Sequence, residues 1–248
     1  MEKKPVWTDE YEVRVYETGP AGTCHLTTLC NYLQETAGHH AAHLGLGMND
    51  LADRNRMWVL FRFRVSVKRY PRMHERIIAE TWPRGLDGLM AIRDFELCSG
   101  EDGILASATS AWIVMDTATK RPCRIPDYFL KVPVNPSRQA LPGGLKKLED
   151  VKEGIPSEHI TVHHGDLDCN NHVNNTKYIG WIIDQMYTLL PPEKVCRAFE
   201  INFLSECARG DILSINSAPA GADPLTYRHS ITRVGDGKEA CRAASVWE

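Results

Sequence analysis

The segment Ala108-Thr109-Ser110-Ala111-Trp112 returns near the end of the chain as Ala243-Ala244-Ser245-Val246-Trp247. Each copy closes a series of strand-like segments. Other landmarks recur at similar spacing, with His172 opposite His25 and Glu206 opposite Tyr70. Self-similarity of one half of a chain to the other indicates a repeated structural unit. The sequence therefore predicts a tandem duplication; the alternative is chance similarity between two α+β segments.

The first half has the pattern of a helix followed by an antiparallel sheet. Apolar residues from Leu26 to Leu44 recur at helical spacing. Residues 58–68 then alternate as a half-buried strand does. One side of this strand carries Phe61, Phe63, Val65 and Val67, and the other carries Arg62, Arg64, Ser66 and Lys68. Further strands are predicted near 75–83, 89–98 and 104–115, with turn signals at Asp87-Gly88 and Asp102-Gly103.

The second half repeats this plan. A short strand near 159–163 leads into a polar loop and a helix over 174–190. Strands are predicted near 197–205, 210–218, 225–234 and 239–247. The fold class is therefore α+β, with two long antiparallel sheets that each wrap a central helix. We expect a first, non-catalytic domain over 1–117, a proline- and glycine-rich linker over 118–157, and a second domain over 158–248.

Composition excludes several classes of protein. The hydrophobic content of 43% suits a globular chain, and a net charge of −3 gives no general case for binding nucleic acid or a membrane surface. No apolar run is long enough to cross a bilayer. The eight cysteines form no Cys-x-x-Cys pair, so reduced thiols in a cytoplasmic protein are expected. The N-terminus has no signal-like apolar region.

The polar loop of the second half is the candidate site. Asp168, Asn170 and His172 stand at alternate positions, so an extended backbone would direct all three to one side. A helix follows at once, and its free N–H groups favour negative charge. Asn and Asp also cap helices, so Asn174 or Asn175 is expected to be a plain cap. The second candidate is Glu206, which is either an edge charge or a buried base with a raised pKa.

These motifs resemble the fatty acyl-ACP thioesterases, over nearly the whole chain. The similar runs are Met57-Trp58-Val59, Arg69-Tyr70-Pro71, Arg121 through Ile125-Pro126-Asp127, Asp166 through Trp181, and Glu206-Cys207. The resemblance implies a double hotdog fold and hydrolysis of acyl-ACP to free fatty acid and holo-ACP. Plant members carry a transit peptide that is absent here, so a bacterial or processed protein is expected.

The resemblance also implies site residues: Asp168, Asn170, His172 and Glu206, with water as the attacking group. Cys207 is either a thiolate nucleophile, as in a Cys-His-Asn triad, or a small buried residue beside the pocket, and we favour the latter. In the first half Ala21, Thr23 and His25 would replace the loop residues, and Tyr70 would replace Glu206. One site per chain is therefore expected, with the first half free to bind the acyl chain.

The expected partner is an acyl carrier protein that bears a phosphopantetheine-linked acyl chain, and a homodimer is plausible. Neither a cofactor nor a metal is expected. The rival functions are an acyl-CoA thioesterase, another hotdog enzyme such as an enoyl-thioester hydratase, or a non-catalytic acyl-thioester sensor.

Two sets of basic residues each have two possible interpretations. A basic run is either an ordinary sheet face or a landing patch for an acidic carrier protein. Its members are Arg54, Arg56, Arg62, Arg64, Lys68, Arg69, Arg72 and Arg76. The second set is His39, His40 and His43, of which His39 and His43 have the i, i+4 spacing that a metal could use; a solvated helix end is the preferred interpretation.

Overall fold

The chain divides into two compact units, residues Met1–Leu145 and Lys146–Glu248, in the computed structural model. The structure describes residues 3–100, 102–151, 154–156, 158–221 and 223–248. Within those ranges no helix has the length and apolar character needed to cross a membrane.

The first unit is an antiparallel sheet with one long helix, as the sequence predicts. Its strands follow the order β1-β3-β4-β5-β2, and β6 pairs with β5. Short 3-10 helices lie at Val15–Glu17 and Asp127–Lys131. The remaining elements are β1 Trp7–Glu12, α1 Leu26–His43, α2 Met48–Ala52, β2 Arg56–Val67, β3 Arg76–Asp87, β4 Met90–Ser99, β5 Gly103–Asp116 and β6 Pro122–Cys123.

Strand β2 alternates as predicted over only part of its length. Phe63, Val65 and Val67 are buried. Phe61 is not part of that row, because the register against β5 slips between Leu60 and Arg62 and leaves Phe61 as the extra residue of a β-bulge. A bulge moves the preceding side chains to the other face, so Leu60 is buried instead.

Helix α1 buries the predicted stripe, including Leu29 and Leu33. The prediction of a solvated histidine end was wrong for one of the three residues. His40 is fully buried, with Nε2 2.9 Å from the Lys4 carbonyl oxygen and Nδ1 3.0 Å from Arg93 Nη1. Burial is the main cause that lowers the pKa of His40 to about 4, so the imidazole is neutral.

Part of the predicted linker packs on the first unit. Asn135 N–H donates to the Pro83 carbonyl at 2.8 Å, and Trp82 Nε1–H donates to the Arg138 carbonyl at 2.9 Å. The Arg138 guanidinium lies over the Trp82 ring, 3.7 Å from its centroid. This segment therefore lies against the sheet of the first unit.

The second unit repeats the architecture of the first. Its strands follow the order β9-β12-β11-β10-β7, all antiparallel, and β8 pairs with β10. A short 3-10 helix lies at His164–Asp166. The elements are β7 Ile155–Pro156, β8 Ile160–Thr161, α3 Asn175–Leu189, β9 Cys196–Phe203, β10 Ile212–Pro219, β11 Thr226–Arg233 and β12 Glu239–Trp247.

The repeat extends to single hydrogen bonds. Trp112 Nε1–H donates to Ser110 Oγ at 2.7 Å, and Trp247 Nε1–H donates to Ser245 Oγ at 2.8 Å. At the far end of β2, the Lys68 N–H donates to the Leu105 carbonyl at 2.8 Å. The Leu204 N–H after β9 makes the same bond to the Ala240 carbonyl, also at 2.8 Å. The repeated Ser-x-Trp motif is thus a repeated local structure.

A buried polar chain sits between α3 and the sheet of the second unit. Ser217 Oγ donates to Gln185 Oε1 at 2.7 Å and so accepts from His229 Nδ1 at 2.7 Å. His229 Nε2 then accepts from Ser245 Oγ at 2.8 Å, and Ser245 Oγ accepts from Trp247. Both ring nitrogens of a neutral His229 are satisfied. Burial lowers the pKa of this histidine to about 3.

This neutral histidine predicts how stability depends on pH. The unfolded chain binds a proton on His229 below about pH 6.5, whereas the folded chain excludes it until the pH approaches 3. Stability is therefore lost as the pH falls through that window, by about 1.4 kcal/mol per pH unit from this residue. His229→Gln should be less stable at neutral pH but should lose stability less steeply between pH 6 and 4, as measured by urea unfolding. Parallel curves for the two proteins would contradict the assignment.

Candidate active site

The loop that carries the first three candidates is a tight turn, not an extended segment. Asp168 N–H donates to the His172 carbonyl at 2.8 Å, and Asn171 N–H donates to the Asp168 carbonyl at 3.0 Å. Leu167 and Val173 form an antiparallel bridge at its base. Asn171 has a φ of 63°, a conformation that Asn tolerates better than most residues. The turn, and not strand alternation, therefore determines which side chains meet.

The Asp168 carboxylate holds the turn together. Its Oδ1 accepts from the backbone N–H of Asn170 at 2.8 Å and from that of His172 at 3.4 Å. The carboxylate thus fixes the backbone on either side of the turn, as an Asx motif does. Asp168 orients His172 through the main chain.

The start of α3 is capped by Asn174, which confirms one of the two predicted caps. Its Oδ1 accepts from Thr176 N–H at 2.9 Å and from Thr176 Oγ1 at 2.8 Å, while the Asn174 carbonyl accepts from Lys177 N–H at 3.0 Å. Two N–H groups of the first turn are therefore already bonded. The side chain of Asn170 is exposed at the tip of the loop.

Glu206 and Cys207 lie in a second loop, after β9 and before β10. The N–H groups of Leu204 and Ser205 both donate to the Ala240 carbonyl, at 2.8 and 3.2 Å. The Val173 N–H then donates to the Cys207 carbonyl at 3.0 Å. This one backbone bond joins the two loops, with His172 and Glu206 next to its two ends.

The two loops bring an imidazole and a carboxylate together. His172 Nε2 lies 3.1 Å from Glu206 Oε2. The side chains are 29% and 48% exposed, so Glu206 is not the buried base that one interpretation of the sequence predicted. An exposed carboxylate in contact with an imidazole can exchange a proton with water that reaches it.

Cys207 is packed inside the unit. Its residue is 1% exposed, and burial raises the pKa of its thiol. Tyr178 is hydrogen-bonded to Cys207, and burial is the main cause that raises the pKa of the phenol. Both groups are therefore neutral near pH 7. A neutral, enclosed thiol is a poor nucleophile, because the thiolate is the reactive form.

The first unit contains the same loop. Its residues lie two positions earlier in the chain than the alignment of the two halves of the sequence predicted. Gly19 N–H donates to the Thr23 carbonyl at 3.0 Å, and Gly22, with a φ of 69°, donates to Gly19 at 2.9 Å. These bonds match those of Asp168, His172 and Asn171. Asp168, Asn170 and His172 therefore correspond to Gly19, Ala21 and Thr23, and the assignment to Ala21, Thr23 and His25 was wrong.

His25 is the counterpart of the helix cap. It is the N-cap of α1, as Asn174 is of α3, and its N–H donates to the Glu17 carbonyl at 3.0 Å as that of Asn174 donates to Asp166 at 2.9 Å. The pairing of Tyr70 with Glu206 fits, because Cys24 N–H donates to the Pro71 carbonyl at 2.8 Å where Val173 donates to Cys207. The first unit therefore has this scaffold without the acid, the imidazole or the carboxylate.

Most side chains of the basic run form ion pairs or hydrogen bonds with partners in the first unit. These contacts favour the ordinary sheet face over a landing patch. The partners are Asp116 for Arg56, the Leu145 carbonyl for Arg62, the Pro142 carbonyl for Arg64, Glu75 for Arg69 and Glu12 for Arg76.

No group of three or more His, Cys, Asp or Glu side chains in the described parts of the chain is arranged to hold a metal ion. Sequence reasoning missed Arg233, Asp211 and Asp236, which contact the Glu206 loop or one another. The close spacing of Arg233 and Asp236 around a glycine-rich turn could indicate their ion pair, but not the bond from Arg233 to Glu206.

Solved structures identify the fold as a double hotdog. An acyl-ACP thioesterase from Bacteroides thetaiotaomicron superposes with a TM-score of 0.88 at 23% identity, covering 98% of each chain. The 12:0-ACP thioesterase from Umbellularia californica gives 0.82 at 26% identity, covering 99% of this chain and 98% of that one.

Sequence comparison gives the family. Residues 4–132 match the acyl-ACP thioesterase N-terminal domain, and residues 149–248 match the C-terminal domain. The chain belongs to the acyl-ACP thioesterase family. It is 30% identical over 267 residues to a chloroplastic palmitoyl-acyl carrier protein thioesterase of Gossypium hirsutum. That match covers 98% of this chain and 63% of the longer relative.

The buried state of Cys207 predicts selective alkylation. Brief treatment of the native protein with iodoacetamide should modify Cys169, which is exposed in the turn, and should leave Cys207 unmodified, as read by peptide mass spectrometry. Both should react after unfolding in urea, which controls for detection. Equal reaction rates of Cys207 and Cys169 in the folded protein would contradict a neutral, enclosed thiol.

Proposed function

We propose that the protein hydrolyses fatty acyl-ACP thioesters to free fatty acid and holo-ACP, ending fatty acid synthesis. The observation that carries the proposal is the 3.1 Å contact between His172 Nε2 and Glu206 Oε2, in the unit that matches the family's C-terminal domain. Membership of the acyl-ACP thioesterase family supports the choice of carrier.

In this mechanism water is the nucleophile. Glu206, in contact with His172, takes a proton from water as the water oxygen bonds to the thioester carbonyl carbon. The C–S bond then breaks, and the phosphopantetheine thiolate leaves and takes up a proton. A simple thiol has a pKa of about 8.5, so it departs without strong acid assistance. General base catalysis of this kind contributes about 10²- to 10⁴-fold.

The carbonyl oxygen needs a donor as its negative charge develops. Because Asn174 already binds two N–H groups of the first turn of α3, the side-chain amide of Asn170 is the proposed donor. Asp168 keeps Asn170 and His172 in place through their backbone N–H groups. Cys207 is packed inside the unit and forms no covalent intermediate.

The first unit is proposed to bind the acyl chain, since it lacks the groups for the same chemistry. None of the eight cysteines, which all lie in the described ranges, forms a disulfide; this fits a reducing compartment and supports the proposal of a cytoplasmic protein. A homodimer stays a prediction, and sedimentation of the purified protein would test it.

The proposal predicts different effects at three positions. Glu206→Gln should lower kcat on acyl-ACP by about 10²- to 10⁴-fold, because the amide cannot accept the proton. Cys207→Ala should keep activity within about tenfold, because the thiol takes no part in bond making. Tyr70→Phe, at the position equivalent to Glu206 in the first unit, is the matched control and should keep wild-type kcat. Thermal unfolding should show that all three fold.

Release of thiol and fatty acid, followed over a graded series of acyl-ACP and acyl-CoA substrates, tests the carrier. Preference for acyl-CoA would replace the proposed substrate, a hydrated product would indicate a hydratase, and binding without turnover would indicate a sensor. Loss of all activity in a well-folded Cys207→Ala variant would contradict attack by water.

A further inference from the structure

The loop that carries Glu206 is held by an arginine from the end of β11. Arg233 Nη1–H donates to the Glu206 backbone carbonyl at 2.9 Å. The same nitrogen lies 3.5 Å from Asp211 Oδ2, at the other end of the loop. Its Nε and Nη2 donate to the two oxygens of Asp236 at 2.9 and 2.7 Å. One guanidinium therefore spans the loop from Glu206 to Asp211.

Asp211 connects the Arg233 guanidinium to a second point of the loop, the backbone of Ala208. Its Oδ2 accepts from the Ala208 N–H at 2.9 Å, and its own N–H donates to the Ala208 carbonyl at 3.1 Å. The residue after Glu206 is fixed separately, by the bond from Val173 N–H to the Cys207 carbonyl. The backbone is thus restrained at the carbonyl of Glu206 and at that of the next residue, although the Glu206 side chain is 48% exposed.

The first unit makes the same restraint with an arginine from a different position. Arg69 Nη1–H donates to the carbonyl of Tyr70, the counterpart of Glu206, at 3.1 Å. Arg69 also makes two bonds to Glu75, at 2.9 and 2.7 Å, and Glu75 accepts from Arg72 N–H as Asp211 accepts from Ala208. In the second unit residue 205, the counterpart of Arg69, is a serine, and the guanidinium comes from β11.

The charge of Arg233 is not available to a substrate. It is 20% exposed and lies against two carboxylates, those of Asp236 and Asp211. The two negative carboxylates outweigh the single positive charge of the guanidinium, so this group presents no net positive charge to a substrate. Its action on Glu206 is therefore geometric and passes through the backbone.

We propose that Arg233 is a positioning residue for the reaction, which keeps the Glu206 carboxylate within reach of His172 by holding the Glu206 carbonyl. The inference rests on the proposed function for its effect on catalysis. It does not rest on it for the effect on the loop, which can be measured separately. A displacement of about 1 Å at a reacting group can cost about 100-fold in rate.

The experiment compares Arg233→Gln with Arg242→Gln. Arg242 is a matched control in the same unit, because its side chain is also 20% exposed. Like Arg233, it binds a carboxylate three residues away in the sequence, that of Glu239. It also donates to a backbone carbonyl, that of Leu148, at 3.2 Å. Arg233→Gln should lower kcat on acyl-ACP by about 10- to 100-fold with KM nearly unchanged. Arg242→Gln should keep kcat, whatever it does to thermal stability.

Two further measurements separate positioning from general destabilisation. Guanidinium ion added at millimolar concentration should restore part of the lost kcat in Arg233→Ala and none in Glu206→Gln. Hydrogen exchange at the Val173 and Ala208 amides should be faster in Arg233→Gln and unchanged in Arg242→Gln.

Equal loss of kcat in the two arginine variants, or a wild-type kcat in Arg233→Gln, would overturn the proposal. If the wild-type protein hydrolyses no acyl thioester, the proposed function fails. Exchange at the two amides then still decides whether Arg233 holds the loop, and unchanged exchange would overturn that as well.

Discussion

A single backbone hydrogen bond, from the Val173 N–H to the Cys207 carbonyl at 3.0 Å, determines the geometry of the candidate site. His172 precedes the donor residue and Glu206 precedes the acceptor residue, so this bond sets the distance between the two loops. Each loop is also restrained by a side chain: the Asp168 carboxylate bonds to the backbone of one turn, and Arg233 spans the other loop. An exposed acid can therefore be held against an imidazole without being buried.

The two units share this scaffold and differ in what it carries. The first unit has the equivalent bond from Cys24 to Pro71, and it restrains the next carbonyl with Arg69. The same backbone hydrogen bonds form the loops in both units, so the side chains between these bonds can differ. Glycine, alanine and threonine can then occupy the loop of one unit, while the other carries groups suited to proton transfer and carbonyl binding. Duplication followed by loss of one site is consistent with this pattern.

The repeat, helix α1 and most of the long strands were predictable, because apolar periodicity reports directly on burial. Strand β1 was missed because its six residues, Trp7–Glu12, are mostly acidic or half-exposed at a sheet edge. The bulge at Phe61 depends on pairing with β5, which lies far along the chain. The residues of the site could be chosen from their motif. His25 was paired with the wrong residue because the two histidines were aligned with each other. The positive φ shared by Gly22 and Asn171 gives the correct register between the two loops. The bond from Arg233 to Glu206 could not be predicted, because it joins residues that are distant in the sequence and lie on separate elements.

The most direct test of the account is a double-mutant cycle on the His172–Glu206 contact, with kcat/KM measured for the wild-type protein, His172→Gln, Glu206→Gln and the double variant on one acyl-ACP. If the two side chains act as one proton-transferring unit, the double variant should be about as slow as the slower single variant, as expected for residues that function together. If the two losses multiply, the side chains act independently, and the contact at the centre of this account has no role in the reaction.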